Sequence, residues 1–307
     1  MKIGVIDLGS NTIRLVIYVW DGFKLEKIHN IKRNAQSIKF VRFGRMDNDG
    51  MDVIVQTLKE LMMIAKIHET QQLRIFATAS LRNIENSDET KKYIEDRVQH
   101  PIEILNGEEE SLYGFEGIKR ITNLPSEGLS IDIGGGSTEL TFFQNATARN
   151  LISIPIGSLN LGIKYVSNIL PSVAEENQMR SAIRDHLDKI EWLNNVKISD
   201  LIGIGGSVRA IMKLQQAQNN QKDSIYNLHL LTKDVHKISQ SLQKDPLGFP
   251  KLILQVVPDR LQTVIPGALI IDEIMIKIKA KQLSVSSFGL REGYLFSRVL
   301  DTLVAYE

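Results

Sequence analysis

Ile6-Asp7-Leu8-Gly9-Ser10-Asn11-Thr12 decides the reading of this chain, because the pattern returns as Ile131-Asp132-Ile133-Gly134-Gly135-Gly136-Ser137-Thr138. Each copy follows an apolar run (Ile3 to Ile6; Leu129 to Ile133) and leads into another. Each reads as a strand, an acidic residue, a glycine-bearing turn with hydroxyls, and a return strand. Glycine lets backbone N–H groups approach a phosphate closely, in dihedrals that other residues avoid. A single such turn is an ordinary hairpin feature. Two matched copies, each with its aspartate, point to phosphoryl chemistry served by two related halves that clamp a phosphate chain and its metal.

Working outward, residues 13–20 are β-branched and aromatic, Asp21-Gly22 gives a tight-turn signal, and residues 23–31 return as a third strand. The second copy does the same, with strands at Glu139 to Phe143 and Arg149 to Ile154. Ile54, Leu58, Leu61 and Ala65 fall at helical spacing before a strand at Leu73 to Ala77. Asn106-Gly107 precedes a helix over Glu108 to Ile121, and Ser172 with Glu175 forms a capping box. Leu201 to Ile204 reads as a buried strand running into Gly205-Gly206-Ser207 and a helix from Val208. Pro266 opens an apolar helix reaching about Lys281, followed by a strand at Leu283 to Phe288 and a terminal helix over 291–304. Strands alternate with helices, so the class is α/β. The pattern breaks at Thr122-Asn123-Leu124-Pro125-Ser126, which divides the chain into a first domain of residues 1–120 and a second of residues 121–294. The terminal helix, residues 295–307, is a candidate to complete the first.

The chain has 307 residues, 43% hydrophobic and 24% charged, with a net charge of +1. That length accommodates two domains with cores of their own. A near-neutral molecule has no overall field to attract nucleic acid or a membrane surface, so any polyanion must be held by local basic residues. There is no cysteine, which excludes thiolate catalysis and a disulfide framework. The chain enters a strand within two residues, without a charged-then-apolar leader pattern, and a cytoplasmic location is expected.

Phosphate cradles are assigned to Gly9, Ser10, Asn11 and Thr12 and to Gly134, Gly135, Gly136, Ser137 and Thr138. Asp7, Asp132 and Glu139 are hard oxygen donors suited to Mg²⁺. Glu108, Glu109 and Glu110 open a helix, where acidic residues favour the dipole. The functional reading makes one of them the base that deprotonates an attacking water, and periodicity does not choose among the three. Arg14 follows the first cradle, and Arg82 ends the hydroxyl-rich segment from Ala77, expected as a loop lining a cleft. Arginine suits phosphate because its planar fork meets two oxygens at once. Gly205, Gly206 and Ser207, followed by Arg209, make a third candidate phosphate or nucleotide contact, although a tight strand-to-helix junction explains those glycines nearly as well. Lys32, Arg33, Lys39, Arg42 and Arg45 form a basic stretch that reads first as a solvated face. The six histidines show no metal-ligand spacing.

Taken together, these segments resemble the exopolyphosphatase / guanosine pentaphosphate phosphohydrolase family of the actin, hexokinase and Hsp70 superfamily. The resemblance runs from Ile6–Leu15 through Ala77–Asn83, Gly107–Tyr113, Asp132–Leu140, Ile154–Ser158 and Gly203–Arg209 to Ser287–Gly293. The glycine-rich pieces are shared across the superfamily, whereas the Gly-Ser-Asn-Thr-Ile-Arg turn, the Glu-Glu element and the Gly-Leu-Arg-Glu-Gly ending are specific to this family. The resemblance implies two actin-like domains with the active site in the cleft between them, and Mg²⁺-dependent release of a terminal phosphate. It implies Glu110 as the catalytic glutamate with Glu109 as fallback, Asp132 and Glu139 as metal-side carboxylates, and Arg82 as the phosphate-binding arginine. The family's late Arg-Ala-Asp element appears here as Arg260-Leu261-Gln262. The chain stops near residue 307, short of the extra C-terminal helical domains of long members, which implies lower processivity. Inorganic polyphosphate is the expected substrate, with guanosine pentaphosphate as the alternative. Non-catalytic binding of guanosine tetra- or pentaphosphate and a kinase of the same superfamily are further alternatives. A homodimer is expected from the family alone.

Overall fold

The computed structural model describes residues 1–120, 124–221 and 223–300. The chain divides into two units, Met1–Gly107 and Glu108–Glu307. Of the break expected over Thr122-Asn123-Leu124-Pro125-Ser126, Thr122 and Asn123 lie outside the described residues, as does the part of the terminal helix beyond residue 300.

The first unit begins with a meander. Strands β1 (Lys2–Leu8), β2 (Ile13–Trp20) and β3 (Leu25–Arg33) run antiparallel. A short hairpin, β4 (Val41–Arg42) and β5 (Arg45–Met46), then leads into helix α1 (Asn48–Ile67). Asp47 caps α1 by accepting a hydrogen bond from Gly50 N at 2.9 Å. Met51, Ile54, Val55, Leu58, Leu61 and Ala65 form its buried stripe. Strand β6 (Gln72–Ala77) lies parallel to β1. The short helix α2 (Ala79–Arg82), helix α3 (Ser87–Val98) and strand β7 (Glu103–Ile104) complete the unit. The sheet order is β3-β2-β1-β6-β7. Two findings differ from the sequence expectation. The segment Ala77 to Asn83, expected as a loop, carries α2. Helix α3 gave no signal, because its stretch is mostly charged and buries only Thr90, Ile94 and Val98.

The second unit opens with helix α4 (Gly107–Ile118), which starts at the last residue of the first. Strands β8 (Glu127–Ile133), β9 (Thr138–Gln144) and β10 (Thr147–Ile154) repeat the meander. Helices α5 (Ser158–Tyr165) and α6 (Val173–Leu187) follow, the latter entered through the expected capping box. Strand β11 (Asp200–Ile204) lies parallel to β8 and runs directly into α7 (Gly205–Gln218). Next come β12 (His229–Leu231), α8 (Thr232–Ser239), α9 (Ser241–Lys244), α10 (Gly248–Val256) and α11 (Val264–Ile278). Strand β13 (Gln282–Val285) precedes α12 (Leu290–Leu295), whose last turn widens into a π-helical turn over Phe296–Leu300. The sheet order is β10-β9-β8-β11-β13-β12.

Both sheets consist of a three-strand meander with two parallel strands on the far side of its first strand; the second adds an antiparallel edge strand, β12. Each unit has its own apolar core, one around Ile6, Leu15, Ile54, Leu58 and Ile75, the other around Leu129, Ile131, Ile211, Leu269 and Leu283. Helix α11 is buried on nearly all sides, its two carboxylates Asp272 and Glu273 included; of its residues only Ile276 and Lys277 reach the surface appreciably.

Candidate active site

The two repeated turns are the same object at atomic detail. In the first, Asp7 pairs across the hairpin with Arg14, and Gly9 N donates to Thr12 O at 3.1 Å. In the second, Asp132 pairs with Glu139, and Gly134 N donates to Ser137 O at 2.9 Å. The pairing register is the same in both copies, and opposite the aspartate glutamate stands where the first copy has arginine. An Asp7–Arg14 pair is a complementary cross-strand pair, whereas Asp132 opposite Glu139 places two carboxylates side by side, which is unfavourable without a cation. Two carboxylates, with waters and phosphate oxygens filling the other positions, are what Mg²⁺ takes. Asp132 and Glu139 therefore fit the ion the chemistry calls for. Among the described residues no group of three or more His, Cys, Asp or Glu side chains forms an all-protein metal cage. Asp7 belongs to the other unit and is not part of that pair.

The second turn is braced from behind. Ser158 N donates to Gly134 O at 2.9 Å, Asn160 Nδ2 donates to Gly136 O at 3.0 Å, and Ser207 Oγ donates to Ile133 O at 3.1 Å. Thr138 is fully buried and gives its hydroxyl to Ile156 O at 2.6 Å, so this residue supports the turn from inside. Ser153 Oγ donates to Glu139 Oε1 at 2.7 Å and orients that carboxylate. The neighbouring strand ends next to Asp132: Ile204 pairs with Asp132, and Gly205 follows at φ 83°. A Cβ at Gly205 would collide with Asp132 Oδ1, so both the positive φ and the close approach require glycine there. The third glycine element thus borders the carboxylate pair.

Helix α4 separates the three glutamates by geometry. Successive residues turn by about 100° around a helix axis, so adjacent side chains cannot share an environment. Glu108 is exposed, Glu109 is half-buried and ion-paired with Arg298 at 3.0 Å, and Glu110 is buried. Ser111 Oγ donates to Ile152 O at 3.3 Å, and Thr141 Oγ1 donates to Ser111 O at 3.2 Å, which ties the first turn of α4 to the meander. At its other end α4 meets the Gly-Leu-Arg-Glu-Gly element so closely that a Cβ on Gly293 would overlap Tyr113 O.

In the first unit, Ser80 Oγ donates to Leu8 O at the end of the strand that carries Asp7, and Arg82 Nη1 donates to Leu105 O at 3.0 Å. Arg14 reaches Asn30 Oδ1 at 3.4 Å. The basic stretch is largely ion-paired: Arg33 with Glu60, Arg42 with Asp47 at 3.6 Å, and Arg45 with Glu89 at 2.9 Å.

Arg260 was not assigned a role from sequence. Its guanidinium lies against Gly206, within contact of where a Cβ would sit. Burial pulls both the Arg209 and Arg260 guanidiniums below their ordinary values, and each arginine has another nearby arginine acting in the same direction. Asp132 partly offsets this at Arg209. Two enclosed cations beside a glycine turn and a carboxylate pair make a strongly polar corner. Nothing local in the sequence joins Arg260 to Gly206.

The repeated glycine turns thus lie on two sheets of related order, with a carboxylate pair on the second. The chain belongs to the Ppx/GppA phosphatase family, whose model matches residues 16–302. A guanosine-5'-triphosphate,3'-diphosphate pyrophosphatase of Pseudoalteromonas translucida (strain TAC 125) is 27% identical over 303 residues. That match covers 95% of this chain and 58% of the relative, so the chain spans little more than half of that longer protein. The Ppx/GppA family member of Aquifex aeolicus superimposes with a TM-score of 0.79 at 25% identity, covering 98% of both chains. An exopolyphosphatase of Cytophaga hutchinsonii ATCC 33406 has the same fold, with a TM-score of 0.88 at 21% identity over 98% of both chains. No helix among the described residues is long and apolar enough to cross a membrane.

Proposed function

We propose that this protein hydrolyses the terminal phosphoanhydride of inorganic polyphosphate, with Mg²⁺ as its metal. The observation that carries the reading is the register of the two turns. They share one phosphate-cradling geometry, and the second alone replaces the cross-strand arginine with a carboxylate beside Asp132. One turn is built to meet phosphate with backbone N–H groups and a cation, the other with backbone N–H groups and a metal.

In this mechanism the turns at Gly9–Thr12 and Gly134–Thr138 each meet phosphate oxygens through backbone N–H groups. Asp132 and Glu139 hold the metal, with Asp7 as a further candidate, and Ser153 fixes the Glu139 carboxylate. Mg²⁺ held by these carboxylates would supply positive charge to offset that of the phosphate oxygens. Arg82 and Arg14 balance charge on the transferring phosphoryl group. Glu110 takes a proton from the attacking water, the P–O bond to the bridging oxygen breaks, and orthophosphate leaves with the shortened chain as the other product. Phosphoryl transfer needs chiefly positioning and charge stabilisation, which these groups supply. Base assistance of this kind contributes roughly 10²–10⁴-fold.

Guanosine pentaphosphate is the second reading, favoured by the name of the Pseudoalteromonas relative. The bond cleaved is of the same type. The deciding experiment measures phosphate release with Mg²⁺ from long-chain polyphosphate, tripolyphosphate and guanosine pentaphosphate, with Glu110→Gln as control. Release from polyphosphate that the control lacks supports the proposal. Release only from the guanosine compound makes the protein an alarmone phosphatase, and release from none makes it a binding protein.

A further inference from the structure

Residues 36–46 form a bridge between the two parts of the first unit assigned to phosphate. At one end, Gln36 N donates to Asn11 O at 2.9 Å, and Ile38 N and Ser37 Oγ both donate to Ser10 O at 3.4 Å, so the segment starts on the first phosphate turn. At the other, Met46 N donates to Asn86 Oδ1 at 2.9 Å, Asn86 Nδ2 donates to Met46 O at 3.0 Å, and Glu85 N donates to Gly44 O at 2.8 Å. Those acceptors and donors lie within four residues of Arg82. The bridge is therefore anchored twice, and its β4–β5 hairpin is held in place.

The tip of that hairpin is Phe43-Gly44, with φ values of 50° and 76°. A two-residue hairpin loop with both central residues at positive φ favours Asn, Asp or Gly at the first of them. A phenylalanine there holds the backbone in a region bulky residues avoid. Its ring obtains no packing in return, since Phe43 is 99% exposed. A scattered exposed apolar side chain is ordinary, but an aromatic that is strained, anchored and bare at once points to a ligand. Arg42 and Arg45 flank it, paired only with exposed or half-exposed carboxylates that water screens.

We propose that Phe43 is a purine-stacking contact, which captures the base of a guanosine polyphosphate whose phosphates run toward Ser10, Asn11 and Arg82. This rests on the hydrolase reading above and takes up its second substrate, guanosine pentaphosphate. A flat aromatic face recognises a nucleobase through stacking, and inorganic polyphosphate has no such face. Phe43 is thus a specificity residue, one that separates the two substrates without touching the bond that breaks.

The test compares Phe43→Asn and Phe43→Trp with the unaltered protein, using guanosine pentaphosphate and tripolyphosphate as substrates and guanosine tetraphosphate as a binding probe in calorimetry. Phe43→Asn places the favoured turn residue at the tip, so the variant folds and its melting temperature rises. The KM for guanosine pentaphosphate is expected to rise about tenfold, within the range of one lost base stack, while that for tripolyphosphate moves less than about twofold. Phe43→Trp keeps the KM of the unaltered protein. Equal effects on both substrates, or no effect on either, overturn the proposal. So does a protein that cleaves tripolyphosphate but neither cleaves nor binds the guanosine compounds, an outcome that leaves the hydrolase reading intact. If no substrate is cleaved, the hydrolase reading fails on its own, and the affinity of guanosine tetraphosphate for Phe43→Asn decides the stacking claim. Unchanged affinity there overturns it too.

Discussion

Arg298 holds Glu109: its Nη2 donates to Glu109 Oε1 at 3.0 Å while its Nε donates to the Tyr113 hydroxyl at 2.6 Å. Both acceptors lie on α4, one turn apart, so a single guanidinium grips the helix that presents Glu110 from the buried side. Two adjacent glutamates therefore sit in different environments, although their sequence context is nearly the same.

Glu109→Gln is expected to keep more than about a tenth of the phosphate-release rate, because it weakens a half-exposed ion pair of small energetic value. Glu110→Gln is expected to lower kcat by at least about 10²-fold with the fold unchanged. Steady-state phosphate release by the two variants, with circular dichroism as a fold control, separates them. The reverse order would transfer the base to Glu109.

Ser153 Oγ donates a hydrogen bond to Glu139 Oε1 at 2.7 Å. A hydrogen bond to a charged group contributes about 1.5–3 kcal/mol at most, so Ser153→Ala should raise the Mg²⁺ concentration for half-activation by roughly tenfold. Ser153→Thr keeps the hydroxyl and should restore it. Titrating Mg²⁺ into chelator-treated protein is the measurement; identical half-activation in Ser153→Ala would detach this serine from the metal.

The repeat was legible because a tight glycine turn between two paired strands restricts residue type within a few positions. Glycine and hydroxyl residues in the turn, and an acid on the strand before it, leave few other sequences possible, so Asp7 and Asp132 announced themselves locally. The capping box at Ser172 and the buried stripe of α1 were legible for the same reason, since each is decided within a few residues. Helix α3 was not, because so few of its side chains are buried that no apolar period emerges. The Glu109–Glu110 choice was also closed to sequence, as it depends on Arg298, far along the chain. Arg260 against Gly206, and Ser153 against Glu139, are likewise contacts made by the fold.

Glu273 is buried on α11 and accepts from Arg180 Nη1 at 2.7 Å and from Arg184 Nε at 2.9 Å. Beside it the fully buried Asp272 accepts from Arg180, from Ser239 at 2.8 Å and is paired with His236 at 3.0 Å. Removing one member of such a set leaves the others desolvated without a counter-charge. Glu273→Ala is expected to lower unfolding free energy by about 3–5 kcal/mol, read as a drop in urea midpoint at constant m-value. A loss below about 1 kcal/mol would mean that water reaches the two arginines and compensates them.

Glu175 gives the clearest dependence on pH. Its carboxylate accepts from Ser172 N at 2.7 Å and Ser172 Oγ at 2.9 Å, and from Ser167 N at 2.8 Å and Ser167 Oγ at 2.7 Å. These donors, the Ser172 backbone foremost, hold it at about 2, below the ordinary 4.5. A carboxyl with a depressed folded value binds protons more readily when unfolded, so its stabilising share is complete above the ordinary value. That share fades as pH falls from 4.5 toward 2, where the folded carboxylate is itself protonated. Glu175→Gln should therefore have a lower urea midpoint than the unaltered protein at pH 7, and the gap should narrow across that acidic window. A gap that stayed constant from pH 7 to about 2 would show that the glutamine recovers none of its difference through protonation, and would remove the carboxylate charge as the cause.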